Sequence, residues 1–181
     1  MSMPTGVMMI IERLTDLPKI TLPQGYRIDS LKPGQEADWE AIIEESFQKP
    51  YVFATSMASE KPYAPERVFF VLHEERPVAT ATAWHLDKYG EETGILHMVG
   101  ALSGHSGKAL GRQVSIAAIE RMRDEGRKQV MLNTSVERLP AIKTYLNIGF
   151  QPKMVDETHM ERWKYVAETL KDERLKRYLG M

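Results

Sequence analysis

The segment GHSGKALG, residues 104–111, combines small residues with one lysine and lies between an apolar run and a helical pattern. Backbone without bulky side chains can approach a ligand closely, and the first N–H groups of a helix have no partner within that helix. These donors, together with the positive end of the helix dipole, favour an anion. The segment therefore predicts a phosphate-binding loop.

Two common phosphate-binding patterns do not fit this segment. A nucleotide P-loop, G-x-x-x-x-G-K-[ST], built on Gly107 and Lys108 needs a glycine where the chain has Leu102 and a hydroxyl residue where it has Ala109. The dinucleotide pattern G-x-G-x-x-G fails because Ala109 and Arg112 stand where glycine is needed. A plain strand-to-helix turn remains the alternative interpretation.

Hydrophobic periodicity predicts the elements that must position this loop. Strands are predicted at residues 26–31, 68–73, 78–84, 94–102 and 129–134, and helices around 36–47, 110–125, 138–150 and 160–179. The segment 48–66 is rich in turn residues, and residues 1–24 show no clear period. Antiparallel strands followed by strand–helix–strand–helix predict a mixed α/β fold built in layers.

Composition limits the functions open to the chain. Its 181 residues are 43% hydrophobic, enough for one domain with a real core, and the net charge of −1 gives no indication of a nucleic-acid or acidic-membrane partner. Cysteine is absent, which excludes disulfides, thiolate metal sites and cysteine nucleophiles. The apolar run at 7–11 is too short to span a bilayer and lacks a secretion-signal pattern. We therefore expect a cytoplasmic protein.

The order of hairpin, strand, bare loop, amphipathic helix, short strand and helix resembles the GCN5-related N-acetyltransferase (GNAT) family. The family's loop is commonly R/Q-x-x-G-x-G/A, and residues 104–109 match its G-x-A portion, with Gly104 in the leading position. The family's closing helix often reads N-x-x-A-x-x-x-Y-x-x-x-G-F. Arg138 stands here where Asn is common, and four positions match: Ala141, Tyr145, Gly149 and Phe150.

The resemblance implies a mostly antiparallel sheet flanked by helices in a single domain over residues 25–155, with an irregular arm at 1–24 and a helical extension at 156–181. It implies transfer of an acetyl group from acetyl-CoA, a co-substrate, to a primary amine of a small molecule or peptide. No metal, nucleic acid or membrane is implied, and a homodimer is compatible with it. A non-catalytic acyl-CoA-binding sensor or scaffold and an unrelated nucleotide-binding domain remain alternatives.

Cofactor contacts follow from the same resemblance. The strand before the loop would pair through its backbone, at Val99 and Ala101, with the pantetheine arm. Arg138 would add a contact from the closing helix. The pyrophosphate would be bound by the loop and the start of the next helix, at Ser106, Gly107, Lys108, Ala109, Leu110, Gly111 and Arg112.

Tyr145 matches the family's general acid for the departing thiolate, although a helical tyrosine is more often a packing residue. We expect a buried stripe of Leu139, Ile142 and Leu146 to leave its face free. His97 is the candidate base for the amine, because strand parity predicts that it points the same way as Val99 and Ala101. His85, Glu91 and Glu92 are weaker alternatives.

The resemblance places acceptor selection in the first helix and the loop after it, residues 35–66. This segment carries aromatic residues, and its helix includes Glu40, Glu44 and Glu45. An acidic rim there could attract a cationic amine, whereas a solvated helix face is the alternative interpretation.

Overall fold

A computed structural model describes residues 5–181 of the chain. The chain divides into two compact units, one formed by Glu12–Val130 and the other by residues 5–11 together with Met131–Met181. The boundary falls inside strand β6 (Gln129–Ser135).

The unit Glu12–Val130 contains four antiparallel strands in the order β2-β3-β4-β5. They are β2 (Tyr26–Ser30), β3 (Val68–His73), β4 (Arg76–Trp84) and β5 (Thr93–Ala101). Helix α1 (Glu36–Phe47) follows β2, and helix α2 (Leu110–Asp124) follows β5. The turn-rich segment after α1 contains a short π-helix (Ala54–Ala58) and a 3-10 turn (Pro65–Arg67).

Helices α1 and α2 cover opposite faces of β5, and glycines allow each helix to approach. A Cβ built on Gly94 would lie 2.4 Å from Met122 Sδ of α2. A Cβ on Gly100 would lie 2.6 Å from Ser46 Oγ of α1. The core on the α1 side consists of large apolar side chains: Leu31, Trp39, Ile42, Ile43, Phe53, Met57, Val68, Phe70, Leu72 and Trp84.

A β-bulge interrupts β5 between its centre and its end. Thr82 lies opposite His97 and Thr80 lies opposite Gly100, so β5 has one residue more than β4 over this interval. Met98 takes a left-handed conformation, with φ of 48°. Because side chains alternate only in an uninterrupted strand, the extra residue puts His97 and Ala101 on opposite faces. The prediction that His97, Val99 and Ala101 point the same way is therefore wrong.

The second unit contains three strands in the order β6-β1-β7, with β1 antiparallel to β7. Strand β1 is Gly6–Ile11 and β7 is Gln151–Lys153. Its helices are α3 (Leu139–Ile148), α4 (His159–Leu170) and α5 (Glu173–Tyr178).

Two predictions are corrected in this unit. Residues 6–11 form a strand rather than part of an irregular arm, because the apolar run pairs with β7 and buries Val7 and Met9 completely; residues 1–4 lie outside the described part of the chain. The single helix predicted over 160–179 is two helices. Lys171 ends α4 with φ of 52°, and the Asp172 carboxylate accepts the Arg174 and Leu175 N–H groups in the first turn of α5.

The described strand pairings β1–β7, β2–β3, β3–β4 and β4–β5 are all antiparallel, and helices flank the strands in both units. The predicted fold class, a mixed α/β fold with a mostly antiparallel sheet and flanking helices, is confirmed. Within residues 5–181, none of the helices has the length and apolarity needed to cross a bilayer.

Candidate functional site

The loop after β5 carries two left-handed residues immediately before α2. A 3-10 turn (Ser103–His105) leaves the strand, and Gly107 and Ala109 follow with φ of 78° and 54°. Left-handed residues in a turn can bring successive N–H groups to one side, which makes an anion-binding concavity. Residues 106–109 are exposed, whereas the Leu110 side chain is buried and holds the start of α2.

The first turn of α2 supplies further donors. The first backbone hydrogen bond of the helix joins the Gln113 N–H to the Ala109 carbonyl oxygen at 3.2 Å. The N–H groups of Leu110, Gly111 and Arg112 therefore have no acceptor within the helix, and the side chain of Ala109 cannot cap them. A Cβ built on Gly107 would meet no atom within 4 Å, so the space beside the loop is open. This geometry fits a phosphate group.

Helix α1 anchors the root of the loop. Ser46 Oγ accepts the Ala101 N–H at 2.9 Å, and Glu45 accepts the Ser103 N–H at 2.6 Å. Hydrogen bonds from Ser103 hold the pKa of Glu45 below its usual value. The Ala101 N–H, which the resemblance assigned to the pantetheine arm, is thus donated to Ser46. The isolated Gly100 within a strand pattern was the sequence signal for this close approach.

A second anchor joins the middle of the loop to the start of β2. The Tyr26 hydroxyl is 2.7 Å from His105 Nδ1, and the Tyr26 ring stacks on His73 at a centroid distance of 4.4 Å. Burial, with the nearby His73 and Lys108, lowers the pKa of His105. Sequence reasoning missed these residues, because Tyr26 and His105 are 79 positions apart and no motif joins them.

His97 lies at the bulge, with its ring 5.2 Å from the ring of Trp84. Burial lowers the pKa of His97 from 6.5 to about 4, so the imidazole is neutral near pH 7. The Thr82 hydroxyl opposite it is buried and has no hydrogen-bond partner among the described residues. The imidazole therefore has one unprotonated ring nitrogen at pH 7, and its lowered pKa makes it a weaker base than a histidine that titrates near neutrality.

The weaker candidates His85, Glu91 and Glu92 line one polar groove in the same unit. Burial, followed by the charges of Arg127 and Arg67, lowers the pKa of His85. Glu92 forms an ion pair with Lys128. These residues lie near the start of β5, whereas the loop follows its end.

Tyr145 lies in α3 and Arg138 immediately precedes that helix, both in the other unit. The predicted buried stripe is wrong in part: Leu139 and Leu146 are only half-buried, whereas Tyr145 shares the buried face with Ile142 and Ile148. The Tyr145 ring packs edge-to-face on Phe150 at 5.9 Å. Burial raises the pKa of Tyr145 to about 12, against a smaller lowering by Arg138. The hydroxyl therefore stays protonated and can donate a proton or hydrogen bond.

Residues 35–66, the expected acceptor segment, form more core contacts and backbone hydrogen bonds than their sequence indicated. Trp39 and Phe53 are core residues whose rings pack edge-to-face at 5.1 Å. Glu40 accepts the Phe53 N–H at 2.7 Å, and Glu45 accepts from the loop as described. Two of the three glutamates of the expected acidic rim thus hold backbone in place.

Comparisons with known proteins identify the same family that the order of elements indicated. The model of the Acetyltransferase (GNAT) family matches residues 35–150. Proteins named mycothiol acetyltransferase from Thermomonospora curvata and Thermobispora bispora are each 28% identical to this chain. The alignments cover 77% and 78% of this chain but 49% and 52% of those proteins. The chain thus spans about half the length of the curated relatives it matches.

A solved structure shares the fold. The crystal structure of a GCN5-related N-acetyltransferase from Sphaerobacter thermophilus aligns with a TM-score of 0.68 at 19% identity, covering 82% of this chain and 48% of that one. Because the family model covers more than half of the sequence, and the loop, the strand before it and α3 all lie within the match, this chain belongs to the GNAT family of acetyltransferases.

Proposed function

We propose that this chain is an acetyl-CoA-dependent N-acetyltransferase whose acceptor is a primary amine of a small molecule or a peptide. The loop at 106–111 carries the proposal. It is exposed, contains two left-handed residues and opens a helix whose first N–H groups lack acceptors within the helix. The GNAT family uses acetyl-CoA, and the loop lies inside the matched region.

The residues present fit the charged part of this co-substrate. The N–H groups from Gly107 to Arg112 would bind the pyrophosphate, helped by the positive end of the α2 dipole and the charge of Lys108. The backbone of Val99, next to the bulge, would pair with the pantetheine arm. Arg138 would add a contact from α3. We assign co-substrate binding and acetyl transfer to one domain, residues 25–155.

The reaction forms one bond and breaks one. The amine nitrogen attacks the thioester carbonyl carbon, the new C–N bond forms and the C–S bond breaks, giving an amide and a free thiol. The proton lost by nitrogen balances the proton gained by sulfur. We assign its acceptance to His97, neutral at pH 7, and its donation to Tyr145, protonated at pH 7.

The acceptor is proposed only as a class. The relatives' name, mycothiol acetyltransferase, supports acetyl transfer to an amine-bearing acceptor. A non-catalytic acyl-CoA sensor would bind the same co-substrate without releasing thiol. We further propose that the protein acts in the cytoplasm, with neither nucleic acid nor membrane as partner. Sedimentation at several concentrations would test whether it forms a homodimer.

Thermal stability with acetyl-CoA, free coenzyme A and ATP tests co-substrate binding. A ligand of the folded state at 100 times its Kd raises stability by about 2.7 kcal/mol. We expect this rise with both coenzyme A forms and not with ATP, and acetyl-CoA should release free thiol with at least one amine of a panel. Binding without thiol release on any amine would favour the sensor.

Two matched glycine variants test the loop itself. Gly107 and Gly90 have the same φ of 78°, and a Cβ at either meets no atom within 4 Å. Gly107→Glu should abolish stabilisation by acetyl-CoA, because it places a negative charge against the pyrophosphate. Gly90→Glu places the same side chain at an equal φ elsewhere in the unit and should leave binding intact. Unchanged affinity in a folded Gly107→Glu protein would overturn the assignment.

A further inference from the structure

We propose that Tyr26, supported by His73, positions the phosphate loop through His105 and so sets the affinity for the nucleotide part of acetyl-CoA. The inference rests on the proposed function, because it requires the loop to bind the pyrophosphate. It assigns Tyr26 and His73 as positioning residues, since they act through His105 rather than on the reacting atoms.

The three rings form one cluster between β2, β3 and the loop. Tyr26 is the first residue of β2, His73 is the last residue of β3, and the two lie opposite each other in the strand pairing. His105 approaches both, with centroid distances of 5.7 Å to Tyr26 and 5.2 Å to His73. The 2.7 Å contact between the Tyr26 hydroxyl and His105 Nδ1 has the length of a good hydrogen bond.

The position of the cluster allows it to restrict the motion of the backbone N–H groups of the phosphate loop. Helix α1 holds the loop at Ala101 and Ser103, and α2 holds it at the buried Leu110. The stretch between these points is exposed at Gly104 and at residues 106–109, and it includes both left-handed residues. His105 lies at its beginning, so its contact with Tyr26 reduces the freedom of the N–H groups that follow. Donors held in place bind an anion at a lower entropic cost than donors that must first be ordered.

The protonation states at neutral pH suit this contact. Burial, with His73 and Lys108 facing the ring, lowers the pKa of His105, so the imidazole is neutral. Its Nδ1 can then accept a hydrogen bond from the Tyr26 hydroxyl. The His73 ring stacked on Tyr26 fixes the direction from which the hydroxyl approaches. Gly25, just before Tyr26, has φ of 84°, a backbone conformation that favours glycine.

Two substrates separate positioning of the loop from a general structural role. Acetyl-CoA carries the pyrophosphate, whereas acetyl-pantetheine carries the same thioester without it. Tyr26→Phe removes one hydroxyl and keeps the ring that stacks on His73. We expect KM for acetyl-CoA to rise about 5-fold, the equivalent of one hydrogen bond, with kcat unchanged. KM for acetyl-pantetheine should stay at the wild-type value.

A double-mutant cycle tests the pair directly. His105→Ala should raise KM for acetyl-CoA by a similar factor, and the double variant should be no worse than His105→Ala alone, because both remove the same bond. His105→Asn offers an oxygen near the position of Nδ1 and should restore most of the affinity. Tyr89→Phe is the matched control, because Tyr89 lies in the turn Asp87–Tyr89 before β5, away from the loop.

The outcomes distinguish this inference from the proposed function. If the wild-type protein neither binds acetyl-CoA nor releases thiol from it, the proposed function fails. If Gly107→Glu abolishes binding while Tyr26→Phe and His105→Ala keep wild-type KM, the loop is the phosphate site and the positioning role is wrong. Equal losses on acetyl-CoA and acetyl-pantetheine, or strictly additive effects in the cycle, would also overturn it.

Discussion

Tyr145 combines a buried ring with a hydroxyl that stays protonated. Its side chain is 5% exposed, and burial raises its pKa to about 12, so at neutral pH it acts as a donor. Its ring also fills the core beside Ile142 and Phe150. Packing and the proposed acid role therefore fall on one residue, and a variant that keeps the ring separates them.

Tyr145→Phe is that variant. We expect kcat to fall by about 10²–10⁴-fold, the usual contribution of one acid–base group, with the low end favoured because thiolate is already a fair leaving group. Thermal stability and acetyl-CoA affinity should stay close to wild type, since the ring packing is kept. Steady-state thiol release on the best amine measures the effect, and wild-type turnover would leave Tyr145 as a packing residue.

The lowered pKa of His97 predicts how the stability of the protein depends on pH. Its pKa is 6.5 in the unfolded chain and about 4 in the folded protein, so between these values only the unfolded state binds the proton. Stability is unaffected above pH 6.5 and falls as pH decreases toward 4, by about 3 kcal/mol in total. His97→Gln should lose this part of the pH dependence. Urea unfolding at pH 7, 5.5 and 4.5 would then show that the free energy of unfolding falls more steeply with decreasing pH in the wild-type protein than in the variant.

The same variant tests the proton relay. If His97 accepts the amine proton, His97→Gln should lower kcat at pH 5 to 8. The acidic limb of the wild-type kcat profile should lie near pH 4 rather than near 6.5, and the variant should lack it. Turnover that is identical in both proteins from pH 5 to 8 would exclude His97 from the mechanism.

At the scale of elements, two Lys→Gly substitutions, one at the end of α4 and one inside it, should change stability in opposite directions. Lys171 ends α4 in a left-handed conformation, which costs a non-glycine residue roughly 1–2 kcal/mol. Lys171→Gly should therefore stabilise the protein by about 1 kcal/mol. Lys164→Gly, at an exposed position inside the same helix, should destabilise it by a similar amount, about 1 kcal/mol.

Chemical unfolding of the two variants measures both effects. If Lys171→Gly is neutral or destabilising while Lys164→Gly behaves as expected, the left-handed conformation of Lys171 does not cost the protein stability and the prediction is wrong.

At the scale of the whole molecule, the chain's first strand and its penultimate helix meet in one unit. The buried Arg162 guanidinium of α4 donates to the Gly6 carbonyl oxygen of β1 and to Asp156 at 2.9 Å. Hydrogen bonds, led by that from Thr158, hold the pKa of Asp156 well below its usual range. The contact joins residues 156 positions apart in sequence.

Arg162→Ala should lower the free energy of unfolding by about 1–3 kcal/mol, because it leaves the Gly6 carbonyl without this donor. Arg123→Ala is the control, since Arg123 is exposed and pairs with its neighbour Asp124, an interaction worth about 0–1 kcal/mol. Equal losses in the two variants would show that the buried contact contributes no more than a surface pair.

The sequence by itself determined the elements whose periodicity is local. The hairpin of β3 and β4, helices α1 to α3 and the loop from Gly107 to Leu110 are formed by residues close together in the chain, and their apolar spacing and glycines are visible in the sequence. The order of those elements was sufficient to predict the fold class and the family.

Only the tertiary structure decided which side chains meet. The bulge at Met98 reversed the facing of His97 relative to Ala101, because the pairing of β5 depends on β4 rather than on β5 alone. Strand β1 needed β7 as a partner, and the anchors of the loop, Ser46 and Tyr26, lie 55 and 79 residues from Ala101 and His105, the groups they hold. Contacts at such separations depend on packing free energy summed over the whole chain, which no local pattern of residues encodes.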